Sequence, residues 1–373
     1  MPIHTTNPPA AATYTVGSGG DFSTFAAYKA RTNYLKNDET VTILSDLTES
    51  IDLSGMAGTL TIQGNNYKIL EGVTWLDNAL PFSADSSAGT GTITLTNNPA
   101  ETSNVNDLKV EGATTNPDFT GYAGYTVRIR NDAGTIADYT VSSIQGAANN
   151  IFRLSATAPT VGDDGSTITI LPAISIADNS ADFLIYHVLP GITLYLKGLH
   201  INNTKASGTS RAYRGNNGAV VVANCVFEST EHAFDCALNH YAAIISPCAF
   251  FPGTGGNGVT VHKSSVVLIG SGAVSIGGAV GFLAEASNIT KTAEALAVAA
   301  VGCSSYGLDF VFMSSALLDG FYARDCTTFG FRASEGSYIY ALSTAALASG
   351  NGANYSPTVT DTEGNSGARI VFS

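Results

Sequence analysis

The chain has 373 residues, 44% hydrophobic and only 13% charged, with 39 glycines. That is enough apolar material for one elongated solenoid or two compact domains, and the many small residues suit short strands and tight turns better than long helices. Lys plus Arg number 17 against 30 Asp plus Glu, a net charge of −13 that offers no basic field, so neither nucleic acid nor an anionic membrane is expected as a partner.

Residues 1–12 read as an N-terminal arm or anchor. They hold no basic segment followed by an apolar core, so no Sec-type address is expected, and the longest strongly apolar stretch, Ala295 to Val301, is far too short to span a bilayer. Residues 13–85 read as a capping helix and the first rungs of a solenoid. Ser23 or Thr24 can cap a short helix over Ala26 to Leu35, with Phe25, Tyr28 and Leu35 on one apolar face, and such a helix would cover the open end of a coil. Val41 to Leu44 and Leu60 to Asn65 read as strands.

Residues 86–172 have a different texture, with separate strands starting at Gly91, Tyr125, Tyr139, Ile151 and Ser166. Turn signals at Asn131-Asp-Ala-Gly and Gly162-Asp-Asp-Gly divide them, which predicts a small antiparallel β-domain inserted between early rungs. Tyr122 and Tyr125 could stack on a sugar, with Arg128 or Arg130 as donors. Packing inside the domain, or against the solenoid, accounts for them more simply.

Residues 173–373 carry internal repeats. Ala233-Phe234, Gly258-Val259, Gly281-Phe282, Gly307-Leu308 and Gly330-Phe331 recur at offsets of 25, 23, 26 and 23 residues. The next column, Asp235, Thr260, Leu283, Asp309 and Arg332, is mostly polar, and the one after it, Cys236, Val261, Ala284, Phe310 and Ala333, is apolar. Alternation within a repeat and alignment between repeats predict stacked strands with Phe234, Val259, Phe282, Leu308 and Phe331 as an internal ladder. Cys225 and Cys248, and then Cys303 and Cys326, fall on the same 23-residue spacing. Disulfide staples or a metal site would explain them, but buried free thiols stacked in one column fit better, because no Cys-x-x-Cys pair exists. Reduced thiols suit a protein folded in cytoplasm. A third column, Ser264-Ser265, Ser287-Asn288, Ser314-Ser315 and Gly336-Ser337, supplies small polar residues for a sharp corner before the next strand. The fold class expected is all-β: a right-handed parallel β-helix with an N-terminal capping helix and an inserted small antiparallel β-domain.

The segment Val16-Gly-Ser-Gly-Gly-Asp-Phe-Ser-Thr-Phe25 resembles the opening of the pectate-lyase-like β-helix superfamily, which includes phage tailspikes and pectin methylesterases. The stretch from Phe329 to Ser373 resembles the β-helix ends of phage tail fibres and other virion adhesins. The resemblance covers 13–72 and about 190–373. It implies a particle-surface location, assembly in host cytoplasm and commonly a homotrimer, with the outward apolar Leu283 suited to burial between subunits.

Catalytic signatures are sparse. A glycoside hydrolase needs two carboxylates within about 5–9.5 Å. Asp235 and Asp309 share a column three rungs apart, about 14 Å at roughly 4.8 Å per rung, whereas Glu285 and Asp309 lie on adjacent rungs. Asp309-Phe-Val-Phe resembles the nucleophile segment of pectin methylesterases, but the oxyanion-binding glutamines are missing from the later rungs and Met313 stands where that segment has glycine. Asp309 is therefore read as a surface residue. No cofactor or metal is expected, since the six histidines show no metal-ligand spacing.

Two functions follow. The first is a receptor-binding spike or fibre protein of a phage or phage-like particle that attaches to host cell-surface polysaccharide without catalysis and is joined to a structural protein of the particle. The second is a polysaccharide-degrading enzyme, lyase or hydrolase. Sugars need planar apolar faces beside bidentate polar groups, which places the candidate carbohydrate-binding residues at Asp235, His240, Tyr241, His262 and Arg332. No catalytic residue is assigned.

Overall fold

The computed structural model describes residues 12–31, 38–79, 89–188, 192–206, 209–269, 272–291, 298–318, 321–341, 348–356 and 369–372. Three parallel sheets wrap around one dry interior. Sheet 1 has 11 strands, from Thr13–Val16 to Arg369–Phe372; sheet 2 has 9, from Leu47–Thr48 to Ala348–Ser349; sheet 3 has 9, from Ile51–Asp52 to Ala353–Ser356. The chain visits them in turn: Ile192–Lys197 in sheet 1, His200–Asn203 in sheet 2, Arg211–Asn216 in sheet 3, then back to sheet 1 at Ala219–Ala223. The result is an all-β solenoid.

The internal ladder stacks in the expected register. Phe234 pairs with Val259, Val259 with Phe282, Phe282 with Leu308 and Leu308 with Phe331, and all five are fully buried. Tyr213 extends the column one rung earlier and stacks on Phe234 with ring centroids 4.6 Å apart. The serine column is tighter than the sequence suggests. The backbone N–H of His240 donates to Ser265 Oγ at 3.0 Å, that of Ser265 to Ser287, of Ser287 to Ser314 and of Ser314 to Ser337. Each buried hydroxyl thus satisfies the corner N–H of the rung before it, where water cannot reach.

All five cysteines are free and buried in the core. Burial pushes the Cys225 thiol up to about 12. A thiol reagent is therefore expected to leave the folded protein unlabelled and to modify five cysteines once denaturant opens the coil; rapid labelling of the native protein would contradict this packing.

The helix is short, Phe25–Ala30, and Leu35 lies outside the described residues. Thr24 is its N-cap, its hydroxyl accepting from Ala27 N–H at 3.1 Å, and Phe25 and Tyr28 join the solenoid core.

The antiparallel sheet occupies a single corner of the coil. The sheet 1 strand Gly58–Gly64 and the sheet 2 strand Ser175–Asp178 would normally be joined by a short turn; here the chain leaves between them. Seven strands result, in spatial order Thr74–Leu76, Thr167–Ile170, Thr126–Arg130, Ile136–Gln145, Ile151–Leu154, Asp107–Gly112 and Ile93–Asn97. Trp75, Phe119 and Phe152 pack at its centre, Phe119 stacked on Phe152 at 4.0 Å.

This excursion folds back over sheet 2. Leu76, Ala79 and Leu171 form a cluster with Val226, Ala249, Phe251, Val274, Ile276, Ala299, Val301 and Tyr322, which stand on successive rungs. That explains why Cys248–Phe251, Ala273–Ile276 and Val298–Val301 are buried at every position rather than alternately: a strand covered on both faces reads as a continuous apolar run. Ion pairs pin the rim, Arg130 to Asp325 at 3.0 Å and Arg324 to Asp164 at 2.6 Å.

Candidate functional site on the third sheet

With sheet 2 covered, two outer faces remain, and they differ in chemistry. Sheet 1 presents an uncharged column over Tyr195, Val221, Ala243, Leu268, Thr290, Leu317 and Tyr340. Sheet 3 presents charges and aromatic rings. One of its outward columns runs Tyr186, Arg214, Asp235, Thr260, Leu283, Asp309, Arg332, and the neighbouring one runs Phe183, Arg211, His232 and later Tyr306, Phe329.

Asp235 is the hub of the first half of this face. Arg211 Nε and Arg214 Nη1 both contact its Oδ2, and His262 Nε2 sits 2.9 Å from its Oδ1. Although outward-facing, Asp235 is only 1% exposed, because these side chains fold over it. Burial alone would raise its carboxyl; the His262 hydrogen bond and the charges of Arg214 and Arg211 outweigh that and hold it at about 2. It is a fixed anion that orients two guanidinium groups. Phe183 stacks on Tyr186 at 4.9 Å, and the Arg211 guanidinium lies 5.7 Å from the Phe183 ring.

The far half repeats the theme. Tyr306 and Phe329 are parallel at 6.0 Å, Arg332 lies 4.4 Å over Tyr306, and its Nε is 2.8 Å from Asp309 Oδ1. Contrary to the surface assignment from sequence, Asp309 is buried. Burial raises its carboxyl to about 6, partly offset by Arg332 and reinforced by Glu285 and Glu335. The register also keeps Asp235 and Asp309 three rungs apart, as the sequence columns require.

Of the five sequence-derived residues, the structure brings Asp235 and His262 together and places Arg332 four rungs along the same column, about 19 Å away at roughly 4.8 Å per rung. Tyr241 stands elsewhere, 40% exposed on sheet 1. His240 is a correction: it points into the coil and is 1% exposed. Its Nε2 lies 2.9 Å from the Tyr213 hydroxyl and its Nδ1 accepts from Gly218 N–H at 3.0 Å. A Cβ at Gly215 would collide with this ring, so the glycine is what admits it.

Arg211, Arg214, Phe183, Tyr186 and the Tyr306–Phe329 pair were not among the candidate site residues read from the sequence. A signal existed: Arg211-Ala-Tyr-Arg214 matches His232-Ala-Phe-Asp235 one rung later, so extending the repeat backwards would have placed Arg214 beside Asp235.

The inserted-domain candidates have structural partners. The Tyr122 hydroxyl accepts from Leu70 N–H at 2.9 Å, Tyr125 donates to Glu71 at 3.0 Å, and Arg128 pairs with Asp138 and with Glu228 of the solenoid. Among the described residues, no group of three His, Cys, Asp or Glu is placed to hold a metal, and no helix is long and apolar enough to cross a membrane.

A β-solenoid with a decorated third face is the class these features define. No protein family and no curated protein matches the chain. Among solved structures, the tailspike of Pseudomonas phage phi297 aligns over 86% of this chain at 9% identity with a TM-score of 0.20. The chain spans 62% of that tailspike's length.

Proposed function

We propose that this protein is a receptor-binding spike or fibre protein at the surface of a phage or phage-like particle, attaching to host cell-surface polysaccharide through the outer face of sheet 3. The observation that carries this reading is the pair of aromatic stacks, Phe183–Tyr186 and Tyr306–Phe329, each with an arginine against it that is fixed by a buried aspartate. Planar rings accept the apolar faces of sugars and anchored guanidinium groups donate to hydroxyl pairs, so two such platforms along one rigid face suit an extended glycan. Asp235, His262 and Arg332 belong to this surface; His240 supports it from inside.

The uncharged sheet 1 column, together with exposed Phe312 and Met313 at its corner, suits self-association into a homotrimer, and Tyr241 is assigned to that interface. The helix Phe25–Ala30 serves as a cap over the end of the coil, and the arm 1–12 as the link to a structural protein of the particle.

Polysaccharide cleavage is the second reading, favoured by the raised carboxyl of Asp309 beside Glu285. One experiment separates the two. Immobilised bacterial surface polysaccharides are expected to retain the wild-type protein without release of reducing ends or unsaturated sugars. Tyr306→Ala should weaken retention about tenfold at unchanged melting temperature, and Arg332→Ala should weaken it about as much while also lowering stability, because buried Asp309 loses its cation. Retention unaffected by both variants would sink the attachment face; product release lost in Asp309→Asn would establish the enzyme.

A further inference from the structure

A groove separates the inserted sheet from the corner where sheet 2 turns into sheet 3. Its volume is about 610 Å³, inside the range of roughly 300–1,000 Å³ typical of ligand clefts. One wall is the inserted strand around Ile136–Asp138. The other is a run of corners on successive rungs: Gly253-Thr254, then Gly277-Gly278, then Gly302 and Ser304.

Gly277 is the glycine that faces this space, whereas Gly253, Gly278 and Gly302 back closely onto Thr230, Pro252 and Arg130. Gly277 has φ +81°, and a Cβ there would face only Ile136 Cδ1 across the gap, at 3.8 Å. The three consecutive corners line a trough along the solenoid axis, so a ligand lying in it is extended and meets the Thr254 and Ser304 hydroxyls two rungs apart.

The charges in the groove are fixed and mutually satisfied. Arg128 donates through Nε and Nη2 to Asp138 at 2.7 and 2.9 Å, and its Nη1 is 2.9 Å from Glu228 Oε2, which His200 also meets at 2.9 Å. The Arg128 guanidinium lies over Phe251 at 4.7 Å. One cation faces two carboxylates in the lining, so no positive charge is left over for an acidic ligand, and a polyanion would be repelled. Thr254, Ser304 and the exposed edges of Asp138 and Glu228 offer hydroxyl-matching donors and acceptors, with Ile136 and Pro252 as apolar contacts.

We infer that this groove is a second carbohydrate site, separate from the sheet 3 face, which takes a short segment of an uncharged glycan along the solenoid axis. The inference goes beyond the attachment reading, because it needs neither the aromatic stacks nor the Asp235 hub.

The test uses the full chain and defined probes: malto-, cello- and N-acetylated chito-oligosaccharides as neutral ligands and oligogalacturonates as acidic ones, followed by saturation-transfer NMR and calorimetry. At least one neutral series is expected to bind, with affinity unchanged between low and high salt, while oligogalacturonates do not. Thr254→Trp together with Ser304→Trp, both at exposed positions, fills the trough without entering the core and should weaken neutral binding tenfold or more at unchanged melting temperature. Tyr306→Ala and Arg332→Ala should leave it intact. The inference is overturned if no neutral oligomer binds up to millimolar concentration, if the double tryptophan variant binds like wild type, or if oligogalacturonates compete equally. Loss in the sheet 3 variants alone would move the neutral ligand to that face and also overturn the groove.

Discussion

Replacing Asp235 with alanine is expected to lower the free energy of unfolding by about 3–5 kcal/mol, the usual consequence of removing one partner from a buried ionic cluster. The cost comes from what is left behind. Arg211 and Arg214 are only 17% and 15% exposed, so their positive charges would face each other across an emptied centre, and His262 would lose its acceptor. Asp235→Asn keeps the shape and restores one acceptor, so it should lose less. Acid should reproduce the effect: the carboxyl sits at about 2 in the folded protein against 3.8 normally, so its contribution is complete above about pH 4 and is lost as pH falls toward 2. Urea unfolding of wild type and Asp235→Ala at pH 7 and pH 3 checks both statements, the difference between the two proteins shrinking at the lower pH. A loss below about 1 kcal/mol for the alanine variant would mean that the cluster is solvated in solution and orients nothing.

Much of the architecture was legible because a stacked coil forces neighbours in space to be neighbours at a fixed sequence distance. The ladder from Phe234 to Phe331, the cysteine spacing and the corner serines are all consequences of that one constraint. What alternation cannot report is what stands over an outward residue. Val226, Ala249 and Val274 read as one side of a strand, yet they are buried because a chain excursion that leaves near Gly64 returns to lie on them. Asp235 likewise reads as exposed, and the arginines of the preceding rung together with His262 of the next hide it.

Corners are the second blind spot. Leu238 and Asn239 have φ of 56° and 59°, two left-handed residues in succession, which break the alternation and swing His240 inside instead of out. The proposed attachment face was half visible for the same reason: the repeat was traced from Ala233 onward, whereas its charged partners lie one turn earlier.

The interior polar chain gives the second large effect. Because Gly218 N–H donates to His240 Nδ1, the proton of that ring is on Nε2 and points at the Tyr213 oxygen; the Tyr213 hydroxyl then donates to His187 Nδ1 at 3.1 Å. Both rings serve as acceptors and must be neutral. Burial lowers His187 to about 4, and burial together with the charges of His187 and Arg214 lowers His240 to about 3, with Asp235 opposing weakly. Both values lie below the ordinary 6.5, so the unfolded chain takes up these protons first. Their contribution is whole above pH 6.5 and drains away as pH falls toward 3, on the order of 5 kcal/mol for His240 alone. Two carboxyls work against this trend in part of the same range: Glu71, raised by burial to about 7, and Asp309, at about 6, favour the folded state as pH drops. The net slope therefore has to be resolved by difference. His240→Gln removes one titrating group, and the variant's unfolding free energy should fall less steeply between pH 6 and pH 4 by about 1.4 kcal/mol per pH unit. Parallel slopes for wild type and variant would place a proton on His240 in the native coil and break the chain of donors from Gly218 to His187.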